Sequence, residues 1–167
     1  MARGDMIETI RAHELHRNPK KIPGVPFVYH NGDHFLYNCK YAIPMIGMSD
    51  TLKGVIDKRN EAIKKKVGPF VLEGMSWNSV KDLAAFIKKI FIEIDGRIYW
   101  NVAYVTPRQI YYPGDLAERR YTFALVKFMG RTLMSHSIVW TLHHGVYMKG
   151  LKHKNGDKLD SRISNLA

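Results

Sequence analysis

The sequence has little cysteine, no long apolar run and few acidic residues, and each shortage excludes a class of protein. The single cysteine, Cys39, excludes an internal disulfide and a zinc site built from several cysteines. The apolar runs are far shorter than the roughly 20 residues that span a bilayer, so we expect no transmembrane helix and no membrane partner. The N-terminal stretch MARGDMIETIRAHELHRNPKK carries charges where a signal peptide needs an apolar segment. These features predict a soluble, cytoplasmic protein.

Acidic residues are scarce relative to basic ones, because 26 Lys and Arg face 15 Asp and Glu, a net charge of +11. The surplus is uneven: residues 119–167 hold nine basic and two acidic side chains, which is +7, and residues 1–118 hold 17 and 13, which is +4. Apolar residues make up 46% of the chain, which excludes wholesale disorder. The charge favours a polyanionic partner, most simply nucleic acid, with a solvated basic face as the alternative.

The first part of the chain has a mainly helical pattern. Apolar spacing predicts helices over residues 4–17, 50–66 and 79–91. The pair Asn31-Gly32 predicts one early hairpin, because these residue types tolerate the positive φ that a type I′ turn needs at both central positions. No role for residues 1–90 follows from this pattern.

From residue 91 onward the pattern becomes mainly alternating, which is typical of β-strands. Hairpins are predicted around Asp95-Gly96 and Gly130, and a short helix is predicted to end at Gly145. The pair Asn155-Gly156 predicts a further turn. The chain is therefore predicted to be α+β, with a mainly helical region over 1–90 and a β-rich region over 91–167.

The C-terminal stretch HSIVWTLHHGVYMKGLKHKNGDKLDSRISNL contains the most specific pattern. A histidine precedes an apolar helix, a Lys-His pair precedes an Asn-Gly-Asp turn, and an Asn-Leu pair closes the stretch; these features comprise His136, Gly145, Lys152, His153, residues 155–157 and residues 160–166. Their types, order and spacing resemble the HNH homing endonucleases, a branch of the His-Me finger nucleases of phages and mobile elements. The upstream IDGRIYW resembles the hairpin that commonly precedes this module, so the resemblance covers residues 91–167.

The resemblance implies a ββα finger that cleaves double-stranded DNA. His153 is then the general base that takes a proton from water, and Asn165 accepts the other ring N–H of His153 and holds the orientation of the ring. A divalent ion, typically Mg²⁺, is the implied cofactor if the finger is active. If the gene is of phage origin, the compartment is the host cytosol. The basic residues expected to contact DNA phosphates are Arg119, Arg120, Lys127, Arg131, Lys149, Lys152, Lys154, Lys158 and Arg162.

Two departures from the family pattern weaken the expected metal site. Lys152 occupies the position where the family has a metal-binding Asp, and its ammonium group would repel Mg²⁺. The family's second ligand comes from a helix beyond the position of Asn165, and this sequence ends at Ala167. Asp157 and Asp160 are nearby substitutes, so the metal ligands stay open. We therefore expect an incomplete finger whose metal-dependent cleavage is lost or weakened, and no metal cofactor if cleavage is lost.

Two other functions remain open from the sequence alone. In the first, a non-catalytic phage protein binds and regulates or inhibits a host protein or nucleoprotein, with residues 1–90 carrying the partner surface. In the second, the chain is an active DNA-nicking endonuclease whose metal site another chain completes. His136 is interpreted as a packing residue, and His30, Asp33 and His34 around the early turn form a weak candidate for a small metal clip.

Overall fold

A computed structural model describes residues 19–39, 46–75 and 80–167. The contacts of the chain form two compact units, one of Met1–Gly68 with Thr106–Gln109 and one of Pro69–Val105 with Ile110–Ala167. The predicted helix over 4–17 lies outside the described residues. Within the described part of the chain, no helix is both long and apolar enough to cross a membrane.

The described residues of the first unit form an antiparallel sheet and one helix. The strands β1 to β4 are neighbours in chain order, and the helix α1 follows them; the bounds are Lys20–Lys21, Val28–His30, Phe35–Asn38, Ile46–Ser49 and, for α1, Leu52–Val67. The Thr51 hydroxyl caps α1 by accepting the backbone N–H of Gly54 at 3.1 Å. The basic run Lys64–Lys66 lies in the last turn, where it suits the negative end of the helix dipole.

The early hairpin has a longer turn than the Asn31-Gly32 pair predicts. The strands β2 and β3 are joined by four residues, and the Asn31 side-chain oxygen accepts the backbone N–H groups of Asp33 and His34 at 3.1 and 2.8 Å. Among the residues of this turn only Gly32 has positive φ, +104°. The asparagine therefore acts through its side chain, as in an Asx turn, and the type I′ geometry is not adopted.

In residues 69–75, 80–105 and 110–167, the second unit contains eight strands, two helices and a short 3₁₀ helix. Its elements, in chain order, are β5 Phe70–Leu72, α2 Val80–Ile90, β6 Phe91–Ile94, β7 Arg97–Trp100, β8 Ala103–Val105, β9 Ile110–Tyr111, β10 Arg119–Arg120, β11 Ala124–Phe128, β12 Arg131–Met134, α3 Ser135–His144 and the 3₁₀ helix Ile163–Asn165. The strands form a β6–β7 hairpin, a β5–β8–β9 sheet and a β10–β11–β12 sheet. The α+β class is thereby confirmed.

The core of the second unit is built from aromatic rings and the apolar face of α3. Phe91, Trp100 and Phe128 contact one another with ring centroids 5.0 to 5.8 Å apart. Ile138 of α3 and Leu166 near the end of the chain are buried in the same cluster. The last residues of the chain are therefore anchored in the core rather than trailing from it.

The border between the two units lies at residues 68–69, whereas the hydrophobic pattern of the sequence changes from helical to alternating near residue 90. The units divide at Gly68 and Pro69, and α2 belongs to the second unit because its apolar residues Leu83, Ile87 and Ile90 enter that core. The helix α2 also runs directly into β6 without a loop. A change of hydrophobic period marks the end of a helix and does not by itself mark the end of a domain.

The β6–β7 turn packs directly against the backbone at Arg162, in the segment just before the 3₁₀ helix. Asp95 and Gly96 both have positive φ, 51° and 77°, which is the two-residue type I′ pattern predicted for this hairpin. A Cβ atom added to Gly96 would lie 2.6 Å from the backbone nitrogen of Arg162. The glycine therefore meets two demands, a left-handed conformation and close approach of two backbones.

We predict that Gly96→Ala lowers the free energy of unfolding more than Gly130→Ala does. Gly130 has nearly the same φ, 73°, in the β11–β12 turn, with no atom close to its missing Cβ. The Gly130 variant carries only the left-handed strain of about 1–2 kcal/mol, and the Gly96 variant adds the clash with Arg162. Urea unfolding of both variants measures the difference, and equal losses would contradict the close packing.

Candidate functional site

The candidate site is held by a short antiparallel pairing near the chain end. The Lys152 N–H donates to the Ala167 carbonyl at 2.8 Å, the Ala167 N–H donates back at 3.0 Å, and the Lys154 N–H donates to the Asn165 carbonyl at 2.8 Å. His153 lies between them in a bridge to Leu166, which is buried in the core. The backbone of His153 is thus fixed by its neighbours on both sides. The end of the described chain forms this bridge and the 3₁₀ helix Ile163–Asn165.

The Asn165 side-chain amide spans the base of the loop over residues 155–160. Its oxygen accepts the backbone N–H of Asn155 at 3.0 Å, and its nitrogen donates to the backbone carbonyl of Asp160 at 2.8 Å. Asn165 is buried, so these partners replace water for both ends of the amide. In the described part of the chain the Asn165 amide makes no hydrogen bond to the ring of His153. The partners of Asn165 are therefore loop backbone groups, where the resemblance implied the ring.

The carboxylates of this loop have partners within the loop. Asp160 forms a two-point ion pair with Arg162, at 2.8 Å to Nε and 2.7 Å to Nη2, and it accepts from the Asn155 amide at 2.9 Å. Arg162 is the main reason that the pKa of Asp160 lies far below its usual range. Asp157 accepts the backbone N–H of Leu159 at 2.9 Å.

The imidazole of His153 is half-buried and exposes only part of its polar edge. Its Nε2 is buried and has no hydrogen-bond partner among the described residues. Because Nε2 is enclosed, Nδ1 is the ring nitrogen through which His153 can exchange a proton with solvent. A base at this position therefore requires the hydrogen on Nε2 and the lone pair on Nδ1.

The ring of His136 lies against the ring of His153. The two centroids are 5.0 Å apart and the ring planes meet at 84°, which is an edge-to-face contact. His136 is the second residue of α3 and is 9% exposed. Burial, and secondarily the charge of His153, lowers the pKa of His136 below its ordinary value. The sequence interpretation treated His136 as packing alone and missed this contact, which joins residues 17 positions apart.

The described side chains around His153 do not supply the set of ligands that a metal ion would need. Within the described ranges, no group of three His, Cys, Asp or Glu side chains is arranged to hold a metal ion, and this includes the weak candidate around the early turn. Lys152 is exposed beside His153, where the resemblance implied a carboxylate. Asp157 and Asp160, the possible substitutes, hold loop groups instead.

A charged cleft lies beside the C-terminal loop. Its volume is about 350 Å³, and its walls are residues 95–97, Arg120, Asp157 and residues 159–162. Behind it the fully buried carboxylate of Glu118 pairs with Arg97 and, at 3.1 Å, with Arg120. Arg120 also donates to the Leu159 carbonyl at 3.3 Å. The cleft is therefore part of the framework that joins the loop to β7 and β10.

The nine basic residues predicted to contact DNA are all exposed, and their surroundings differ. Five of them contact neighbouring groups, in order the Tyr111 and Tyr121 side chains, Glu118, the Ser164 carbonyl, the Phe123 ring and Asp160; these five are Arg119, Arg120, Lys154, Lys158 and Arg162. Lys127, Lys149 and Lys152 have no side-chain partner among the described residues. These three lysines are the most available for a phosphate.

The comparisons with known proteins bear on this same segment. A family model described as HNH endonuclease matches residues 134–167, which run from the last residue of β12 through α3, His153 and Asn165. The predicted resemblance is confirmed for this C-terminal segment. Neither the curated proteins nor the solved structures gave a match.

We predict that Asn165→Ala loosens the 155–160 loop. The change leaves the Asn155 N–H and the Asp160 carbonyl without their partner, so stability falls by about 1–3 kcal/mol. Hydrogen exchange at the Asn155 amide should become faster. Asn165→Asp keeps an oxygen for the Asn155 N–H and should preserve its protection better than Ala; unchanged protection in the Ala variant would show that the amide does not close the loop.

We predict that acid destabilises the wild-type protein more than His136→Phe. Because the folded-state pKa of His136 is lowered, the unfolded chain binds the proton more tightly. The stability that neutral His136 contributes is complete above its unfolded pKa of about 6.5 and is lost as the pH falls through the lower folded-state pKa. Unfolding free energies at two pH values on either side of this window measure the effect, and parallel losses in both proteins would contradict it.

Proposed function

We propose that this chain, whose C-terminal segment is of the HNH endonuclease family, is a DNA-binding protein in which metal-dependent cleavage is lost or weakened. The observation that carries the proposal is the contrast at His153. The backbone pairing and the loop that hold this histidine are present in the structure. At the neighbouring position, however, Lys152 occupies the place where the family pattern has a metal-binding carboxylate. We further propose the homing-endonuclease type found in phages and mobile elements as its origin.

Double-stranded DNA is the proposed partner because of the charge carried by the second half of the chain. The nine exposed basic residues lie on β10, β11, β12 and the segment after α3, so they occur throughout the region that contains the HNH segment. Lys and Arg side chains bind phosphates without reading bases, and they give affinity that depends strongly on salt. The proposed role of this surface is therefore attachment and orientation on DNA.

His153 is the proposed proton acceptor of the site. With the hydrogen on the buried Nε2, the lone pair on Nδ1 can take a proton from a water molecule that attacks a phosphodiester. The proposed role of Asn165 is to hold the backbone of the site, because its amide closes the 155–160 loop that follows His153. A base alone leaves the charge that develops on the phosphate and the leaving oxygen without a stabilising group, so cleavage is expected to be slow.

We expect binding to mixed-sequence double-stranded DNA that weakens steeply as salt rises from about 50 to 200 mM. Each of Lys127→Gln, Lys149→Gln and Lys152→Gln should reduce the slope of log affinity against log salt by about 0.9, as measured by fluorescence anisotropy. Lys89→Gln, which removes an exposed charge from α2, is the matched control and should change little. Absence of salt-dependent affinity would reject DNA and favour a host-protein partner.

We expect little or no nicking of supercoiled plasmid by the wild-type protein with Mg²⁺ or Mn²⁺. Lys152→Asp replaces a repelling ammonium with a carboxylate and should increase nicking. Adding His153→Ala to that variant should abolish the gain. Efficient wild-type cleavage that disappears in His153→Ala would overturn the loss of activity and favour an active nickase.

A further inference from the structure

We propose that His136 is the positioning residue for the imidazole of His153. The inference rests on the proposed function, because it takes His153 as the proton acceptor of the site. It goes beyond that function by assigning the orientation of the ring to a residue on α3, and not to the Asn165 amide.

The ring of His153 needs a side-chain contact to set its orientation. The bridge between His153 and Leu166 fixes the backbone but leaves the two side-chain torsions of the histidine open. The Asn165 amide is engaged on both ends by the loop, at 3.0 and 2.8 Å. Nε2 of His153 has no hydrogen-bond partner among the described residues, so no hydrogen bond at that atom selects one ring orientation.

His136, on the helix α3, makes a side-chain contact with the ring of His153. It lies in the first turn of α3, where Ile138 and Val139 are wholly buried in the core of the second unit. The edge-to-face contact at 5.0 Å brings this anchored ring against His153. A ring packed in this way resists rotation of its neighbour, and it favours the observed orientation in which Nε2 is enclosed.

The electrostatic state of His136 suits this role. Its burial favours the uncharged imidazole near neutral pH. The contact therefore places no second positive charge beside His153 when His153 is needed as a base.

The test uses the full chain labelled with ¹⁵N, and it reads the protonation of each ring nitrogen in long-range ¹H–¹⁵N spectra. The wild-type protein should show His153 as one neutral tautomer with the hydrogen on Nε2, and nuclear Overhauser effects between the His136 and His153 rings. His136→Phe keeps a ring at the contact and should preserve this tautomer. His136→Leu fills the same space without a ring and should give exchange-averaged signals from both tautomers of His153.

His144→Ala, at the other end of α3, is the control and should leave the His153 signals unchanged. A single Nε2–H tautomer that persists in His136→Leu would overturn the proposal, as would equal loss of it in the Phe and Leu variants. Absence of wild-type Overhauser effects between the two rings would overturn it without any variant. DNA affinity is measured separately on the same proteins, so failure of DNA binding and failure of ring positioning give different results.

Discussion

The burial of the Asn165 amide is the constraint on which the candidate site depends. A buried amide must find partners for its oxygen and its nitrogen, and Asn165 finds them at the two ends of one loop, the Asn155 N–H and the Asp160 carbonyl. The two hydrogen bonds of the Asn165 amide therefore hold both ends of the six-residue backbone segment 155–160. The pairing of Lys152 with Ala167 then extends this fixed region to His153. The loop and the histidine are held as one unit because leaving the buried Asn165 amide without partners would cost free energy.

The opposite side of the loop is held by charge and by close backbone contact. The carboxylate of Glu118 is fully buried, and it fixes Arg97 and Arg120, of which Arg120 reaches the Leu159 carbonyl. Moving such a carboxylate out of water has a large free-energy cost, and the ion pairs with the two arginines only offset that cost. The main effect of Glu118 is therefore to fix the positions of Arg97 and Arg120. Gly96 adds a second point of attachment, because its missing side chain lets the β6–β7 turn touch Arg162. Arg120 and Arg162, which are both predicted to contact DNA, thus also hold the framework of the loop.

Local features of this chain were predictable from sequence, and long-range ones were not. The β6–β7 and β11–β12 hairpins and the Gly145 stop of α3 depend on nearest neighbours, and the structure contains all three. The resemblance identified the HNH segment because order and spacing are sequence properties. The contact of His136 with His153 and the loop partners of Asn165 depend instead on how α3 and the chain end pack. The turn at Asn31 differed because its side chain competes for the backbone N–H groups that a tighter turn would leave free.

The positive charge of the C-terminal half has two opposing effects on function. Away from His153, exposed lysines such as Lys127 and Lys149 attract polyanions, and under the proposed function they add to affinity for DNA. Beside His153, the ammonium of Lys152 attracts the same phosphate but opposes the approach of a divalent ion to it. The attraction to DNA needs no specific geometry, whereas metal-assisted cleavage needs carboxylates at defined places. Under the proposed function, Lys152 therefore supports attachment to DNA while it opposes metal-assisted cleavage.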